Sequence, residues 1–92
     1  MHPTPRYKNA VALSYDGKEL LTPEVSVTSE TLPADVIVSI AKRYGIPIVK
    51  KPFLARVLSG LPQGSFIPEQ LYTAVALILA EVLRLKMDVK PQ

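Results

Sequence analysis

The N-terminal third of the chain contains two segments in which apolar residues alternate with polar or small ones. These are residues 9–15 and 24–28, separated by Asp16-Gly17, a pair typical of turns. A repeat of two residues is typical of a β-strand, so the pattern predicts two strands, the second with one solvated face. The apolar residues of one face are Val11, Leu13 and Tyr15 in the first segment and Val25 and Val27 in the second.

Residues 33–44 change to a spacing of three and four, which predicts an amphipathic helix. Pro33 stands where the first turn of a helix tolerates proline, and Gly45 stands where a helix ends. Thr31 or Ser29 is a candidate for the cap. The apolar residues at this spacing are Ile37, Ile40, Ala41 and Tyr44.

The β-branched run at residues 46–49 follows the helix directly and predicts a third strand, with Pro47 favouring an edge. Strand, helix and strand in succession favour a right-handed crossover with some parallel pairing. Residues 54–59 predict a short helix, and residues 69–86 a long one. The fold class is therefore α+β: a small mixed sheet of three to four strands packed with three helices in a single domain.

The long C-terminal helix carries more apolar surface than one core contact needs. One stripe is enough for an amphipathic helix, so the second is either wrapped by the rest of the domain or exposed to a partner. The first stripe is Leu71, Val75, Ile78, Val82 and Leu85, and the second is Tyr72, Ala76, Leu79 and Leu83.

Composition is that of a folded domain with a basic surface. The 92 residues are 48% hydrophobic and 21% charged, with a net charge of +3 and no cysteine. The charge is compatible with an acidic partner, a membrane surface or nucleic acid, although no Gly-rich loop or interleaved aromatic pattern accompanies it. One hypothesis is thus a small basic binding module for nucleic acid or another protein.

No residue pattern indicates catalysis, a metal site or a cofactor. The only histidine is His2, no cysteine is present, and no spacing joins a nucleophile to a base. The first residues lack the apolar segment of a signal peptide, and the apolar run at residues 74–80 ends at Glu81, short of a bilayer span. We therefore expect a non-enzymatic, cytoplasmic protein with no small-molecule substrate.

Five segments, in order along the chain, resemble the cytoplasmic C-terminal domain of the FlhB family, the specificity-switch components of flagellar and other type III secretion systems such as EscU, YscU and SpaS. Together they extend over about nine-tenths of the chain. The segments are Ala10-Val11-Ala12-Leu13-Ser14-Tyr15-Asp16, Pro23-Glu24-Val25, residues 40–49 (IAKRYGIPIV), residues 52–58 (PFLARVL) and residues 67–76 (IPEQLYTAVA), followed by Arg84-Leu85-Lys86.

The resemblance fails at the motif that the family uses to cut itself. Family members carry Asn-Pro-Thr-His before the first of these segments and cleave between Asn and Pro. This chain has Pro5, Arg6, Tyr7 and Lys8 there, and its one asparagine, Asn9, precedes alanine. Because the family reaction needs an asparagine side chain that attacks its own carbonyl with loss of the prolyl nitrogen, we expect no autocleavage.

The resemblance implies a role in protein export. Residues 9–87 correspond to the fragment that cleavage releases in the family, with residues 1–8 as a flexible leader and residues 88–92 as a tail. Such a stand-alone counterpart would act with a membrane-anchored FlhB-type protein and other export-apparatus components or substrates. The absence of the preceding family strand would also leave a sheet edge, for a partner, for residues 1–8 or for a second copy to cover.

The resemblance also implies two candidate surfaces. One is an apolar patch for early export substrates, with ordinary packing of a loop on a helix as the alternative. The other is a possible partner surface whose basic pair departs from relatives that often carry acid there. The first consists of Thr22, Pro23, Ala76 and Leu79, and the second of Lys50, Lys51, Pro52, Arg56 and Tyr72.

Overall fold

The computed structural model describes residues 6–15 and 22–87 and contains two strands that pair directly. Strand β1 spans Val11–Ser14 and strand β2 spans Glu24–Thr28. They are antiparallel. The parallel pairing predicted through a crossover would join β2 to residues 46–49, and that prediction is wrong because these residues form no strand. The turn predicted at Asp16-Gly17 lies outside the described residues.

A bulge in β2 decides which side chains reach the core. Leu13 pairs with Val25, but its neighbour Ala12 pairs with Val27, so Ser26 is an extra residue on β2. Because adjacent residues of β1 point to opposite faces, Val25 and Val27 also lie on opposite faces. The expectation that both valines share one face is therefore wrong, and Thr28, expected on the wet face, is only 1% exposed.

Residues 64–67 pair with β2 on the side away from β1. The amide of Val25 donates to the carbonyl of Ser65 (2.9 Å), and the amide of Ile67 donates to that of Pro23 (3.0 Å). Gly64, at φ +83°, adopts the left-handed conformation that starts this segment and donates to the carbonyl of Val25 (2.7 Å). The first half of β2 thus has backbone partners on both sides.

The prediction of a third strand at residues 46–49 is wrong. These residues form no strand, and Ile46 is 55% exposed, while Ile48 packs against α1. Pro47 has no N–H to donate, so a run of four residues loses too much of its hydrogen-bonding capacity to build a ladder. The fold class is confirmed as a small α+β domain with three α-helices, but within the described residues its sheet has two strands instead of three or four.

The three helices lie close to their predicted positions. Helix α1 spans Ala34–Arg43, α2 spans Pro52–Ser59 and α3 spans Tyr72–Met87, preceded by a 3-10 turn at Glu69–Leu71. Pro33 precedes α1 without a side-chain cap, and the Thr31 hydroxyl instead donates to the Thr28 carbonyl (3.1 Å). Gly45, at φ +68°, ends α1 as predicted, with the Ile46 amide donating to the Ala41 carbonyl (2.8 Å).

Two apolar clusters form the core, one on each face of the sheet. The α1 cluster contains the buried residues Ala10, Ala34, Ile37 and Val38, with Tyr7, Val27 and Ile48 packed against it. The second contains Val25, Leu58, Ile67 and Val75, with Val11, Leu13, Leu54, Leu61, Leu71 and Leu79 around it. Two residues of the apolar face predicted for α1 are not buried in the core, since Ile40 is 40% and Tyr44 is 70% exposed.

The segment before β1 is held against α1 by one carboxylate. Asp35, in the first turn of α1, accepts the amide N–H of Arg6 (3.0 Å) and that of Tyr7 (2.9 Å) through its two oxygens. The Tyr7 side chain also packs on the α1 cluster. Within the leader predicted at residues 1–8, Arg6 and Tyr7 therefore have defined contacts, and residues 1–5 lie outside the described residues.

We predict that Asp35→Ala lowers the free energy of unfolding by about 1 to 2 kcal/mol, because two hydrogen bonds to a charged acceptor and one favourable charge at a helix N-terminus are lost together. Urea denaturation measures the change. Hydrogen exchange should accelerate at the amides of Arg6 and Tyr7. Unchanged protection of these two amides in the variant would show that the carboxylate does not hold the segment.

Candidate functional site

The four residues of the first candidate surface line one cavity. Thr22, Pro23, Ala76 and Leu79 surround an open space of about 190 Å³ where the chain entering β2 meets α3. Tyr15, Ile67, Tyr72 and Val75 complete the lining. The lining is apolar apart from two tyrosines and one threonine, and it includes no charged side chain.

Backbone pairing fixes the position of the loop relative to the helix. The hydrogen bond from the Ile67 amide to the Pro23 carbonyl joins two residues of the cavity lining, one directly before β2 and the other in the segment that leads into α3. Pro68 and the 3-10 turn follow, with the Leu71 amide donating to the Pro68 carbonyl (2.9 Å). The helix therefore starts from a point that is already anchored to β2.

The two stripes of α3 differ in exposure. Val75 is 1% exposed and belongs to the second core cluster, and Leu71 packs against that cluster. In the second stripe, Tyr72 is 46% and Leu83 is 58% exposed, and Ala76 is exposed as well. Val75 is thus the buried residue of the first stripe, and its other described members are half-buried. Three of the four residues of the second stripe are exposed, and the fourth, Leu79, packs against the second core cluster. The side chain of Leu85 lies outside the described part.

Three lining residues, Tyr15, Ile67 and Val75, are absent from the sequence-based set. Ile67 is the informative one, because it is 3% exposed and connects the cavity to the core. An apolar residue directly before Pro68-Glu69, at the start of a helix, is a signal that was available in the sequence. The contribution of Tyr15 depends on the path of the chain after β1, which local patterns do not define.

Four of the five residues of the second candidate surface lie at or just before α2, whereas the fifth lies on α3. Lys50, Lys51 and Pro52 are exposed at the start of α2, and the Arg56 guanidinium lies over the ring of Phe53, 5.1 Å from its centre. Tyr72 lines the cavity on α3 instead. The exposed Phe53 is the residue that the sequence-based set omitted.

Asn9, the one asparagine of the chain, forms a side-chain hydrogen bond with α2. The Ser59 hydroxyl shares its one hydrogen between the Arg56 carbonyl (2.8 Å) and the side-chain oxygen of Asn9 (3.3 Å). The residue that follows is alanine, so no prolyl nitrogen can serve as leaving group.

We predict that the purified chain stays intact during prolonged incubation, because it contains no Asn-Pro bond. Intact mass spectrometry measures this directly, with a single species of 10.1 kDa as the expected result. A time-dependent pair of fragments whose masses locate a break next to Asn9 would contradict the prediction.

Within the described ranges, no helix is both long and apolar enough to cross a bilayer. Among the same residues, no three acidic or histidine side chains gather into a group suited to a metal ion. His2 lies outside them.

Comparisons with known proteins agree on one family. A sequence model described as the FlhB HrpN YscU SpaS Family matches residues 5–82. The chain is 36% identical over 83 residues to the protein YlqH of Bacillus subtilis, covering 90% of this chain and 89% of that protein. It is 40% identical over 81 residues to the flagellar biosynthetic protein FlhB of Aquifex aeolicus, covering 87% of this chain but only 23% of FlhB.

A solved structure supports the same assignment. The crystal structure of a mutated EscU/SpaS C-terminal domain superposes with a TM-score of 0.77 at 27% identity, covering 87% of this chain and 99% of that domain. Sequence, fold and coverage together show that this chain belongs to the FlhB/HrpN/YscU/SpaS family of type III export proteins and corresponds to the family's C-terminal domain.

Proposed function

We propose that this protein is a non-catalytic component of the flagellar or type III export apparatus and has the same function as the C-terminal fragment of FlhB. In this proposal it binds export substrates through the cavity and contributes to the switch from rod- and hook-type or needle-type substrates to later ones. It acts in the cytoplasm, at a membrane-anchored FlhB-type protein. The observation that carries the proposal is that Thr22, Pro23, Ala76 and Leu79 line one open apolar cavity.

The cavity has the properties of a site for a short apolar segment. A volume of about 190 Å³ accommodates one or two side chains, and two of the lining residues, Tyr72 and Ala76, are exposed and so accessible to a partner. Aromatic and aliphatic side chains around a small pocket are typical of the centres of protein interfaces. Because no charged residue lines the cavity, its affinity would come from apolar burial.

Strand β1 offers a second point of attachment. Within residues 6–15 and 22–87 it pairs with β2 on one side only, so the other side presents backbone donors and acceptors. An extended segment of a membrane-anchored FlhB-type protein is a suitable occupant, since adding a strand to an exposed edge needs little side-chain complementarity. The edge would dock the domain while the cavity stays available to substrates.

The proposal is tested in a strain whose FlhB lacks its own C-terminal fragment. Expression of this chain is expected to restore export of hook-type subunits and to bring hook length back toward that of the parent strain. The membrane part of FlhB should be recovered with the tagged chain after mild solubilisation. If export and hook length do not respond to a stably expressed chain, the proposed function is wrong.

A further inference from the structure

Basic residues are concentrated in one continuous stretch of this chain. Residues 36–68 contain five basic residues and no acidic one, whereas the rest of the chain has six basic and eight acidic residues. The stretch therefore carries more positive charge than the whole protein, and the remainder is net negative. The five residues are Lys42, Arg43, Lys50, Lys51 and Arg56.

Helix α2 displays part of this charge together with an exposed aromatic ring. Its inner side contributes Leu58 to the core, 3% exposed. On its outer side Phe53 is 71% and Val57 is 38% exposed, and Arg56 lies over the Phe53 ring. Lys50 and Lys51 directly precede the helix and are exposed. We call these five outer residues, Lys50, Lys51, Phe53, Arg56 and Val57, the basic aromatic surface.

The shape of this surface favours a membrane over a peptide. Phe53 projects from the first turn of a helix with most of its side chain uncovered, so it protrudes instead of lining a groove. An acidic peptide gains affinity mainly from a groove or a sheet edge that covers it. A protruding ring surrounded by lysine and arginine suits the interface of an anionic bilayer, where the ring enters the headgroup region and the charges face the lipid phosphates.

We propose that the basic aromatic surface binds the anionic headgroups of a membrane, with Phe53 inserted at the interface. The surface is distinct from the cavity and does not depend on the proposed function. Each basic residue near an anionic bilayer contributes roughly a fivefold gain in affinity, so binding should rest on several charges acting together and should weaken with added salt. The protein would associate peripherally, because α2 has only eight residues and one large exposed ring.

Sedimentation with vesicles tests the proposal on the full chain. The protein is expected to sediment with vesicles of equal parts phosphatidylcholine and phosphatidylglycerol at low salt and to stay in solution with phosphatidylcholine alone. Lys50→Glu combined with Lys51→Glu should weaken the partition into anionic vesicles by at least about tenfold. The matched control is Lys8→Glu with Arg84→Glu, which changes the net charge equally at two exposed positions outside the basic stretch and should reduce the partition much less.

Insertion of the ring has its own readout. The chain contains no tryptophan, so Phe53→Trp introduces a single tryptophan at the proposed point of contact. Its emission should shift to shorter wavelength with anionic vesicles and remain unshifted with neutral ones. Phe53→Ser, at a position that is largely exposed and therefore tolerant, should weaken the partition by about tenfold while the circular dichroism spectrum stays unchanged.

Several results would overturn the proposal. One is the absence of sedimentation with anionic vesicles at low salt, and another is an equal loss in the test and control double variants. A third is a Phe53→Trp variant that binds the vesicles without any shift in its tryptophan emission. Binding to polyglutamate or to a single-stranded oligonucleotide, with no vesicle binding, would assign the surface to an acidic protein or a nucleic acid instead.

Discussion

Leu58→Ala is expected to lower the free energy of unfolding by about 3 kcal/mol. Leu58 is 3% exposed and packs in the second core cluster with Val25, Ile67 and Val75, so its truncation leaves a cavity between α2, the sheet and α3. A domain of this size has a total stability of roughly 5 to 15 kcal/mol, and a loss of about 3 kcal/mol should lower the melting temperature by about 15 °C. Chemical denaturation monitored by circular dichroism measures the change.

Leu83→Ala is the control for this substitution, since it removes the same atoms from a side chain that is 58% exposed on α3. Its effect should stay within about 0.5 kcal/mol. Equal losses in the two variants would mean that Leu58 is not at the centre of the core, and the arrangement of α2 against β2 would have to be revised.

Ala76→Glu is expected to weaken binding of an early export substrate by at least about tenfold. The substitution directs a carboxylate into a cavity without a charged lining, and an apolar side chain that entered the cavity would bury that charge without a partner. Because Ala76 is exposed, the fold should tolerate the change. Isothermal titration of the purified chain with a hook-type subunit measures the affinity.

Leu77→Glu is the matched control, because it places the same carboxylate on the adjacent residue of the same helix, at a position 69% exposed that is not part of the cavity lining. It should bind the substrate within about twofold of the parent protein. If both variants bind as well as the parent, the substrate does not use the cavity, and if both lose binding equally, the loss reflects the charge of α3 and not the site.

The helices were predictable because their signals are local. Pro33 and Gly45 bracket α1, and Pro68-Glu69 precedes α3, so the ends follow from residues whose backbone preferences act within one turn. Glu24–Thr28 was likewise predicted with its observed ends. Local chemistry was sufficient wherever the residue that starts or ends an element lies directly beside it in the sequence.

The sheet was less predictable because its details depend on distant partners. The bulge at Ser26 changes the faces of Val25 and Val27, and nothing in the alternation of residues 24–28 indicates it. Pairing of residues 64–67 with β2 depends on the turn at Gly64 and on the anchoring of Ile67, which lie far along the chain from that strand. The run at residues 46–49 has strand-like composition but finds no ladder partner among the described residues.

The two stripes of α3 indicated the candidate site before its geometry was known. The spacing of apolar residues along a helix does not indicate which of two stripes the domain buries, because that depends on where the other elements pack. In the structure Val75 lies in the core, while Ala76 and Tyr72 are exposed and line the cavity. The four residues that the resemblance implied for substrate recognition lie together, while their role in binding stays a prediction.

The most direct test of the central claim is the salt dependence of substrate binding by the purified chain. The account predicts that a hook-type subunit binds with an affinity that changes little between low and high salt, because the contact is apolar, and that binding is lost in Ala76→Glu. Phosphate-driven binding would instead fall steeply with salt. No binding of any early export substrate, or an affinity that collapses with salt and is indifferent to Ala76, would contradict the account.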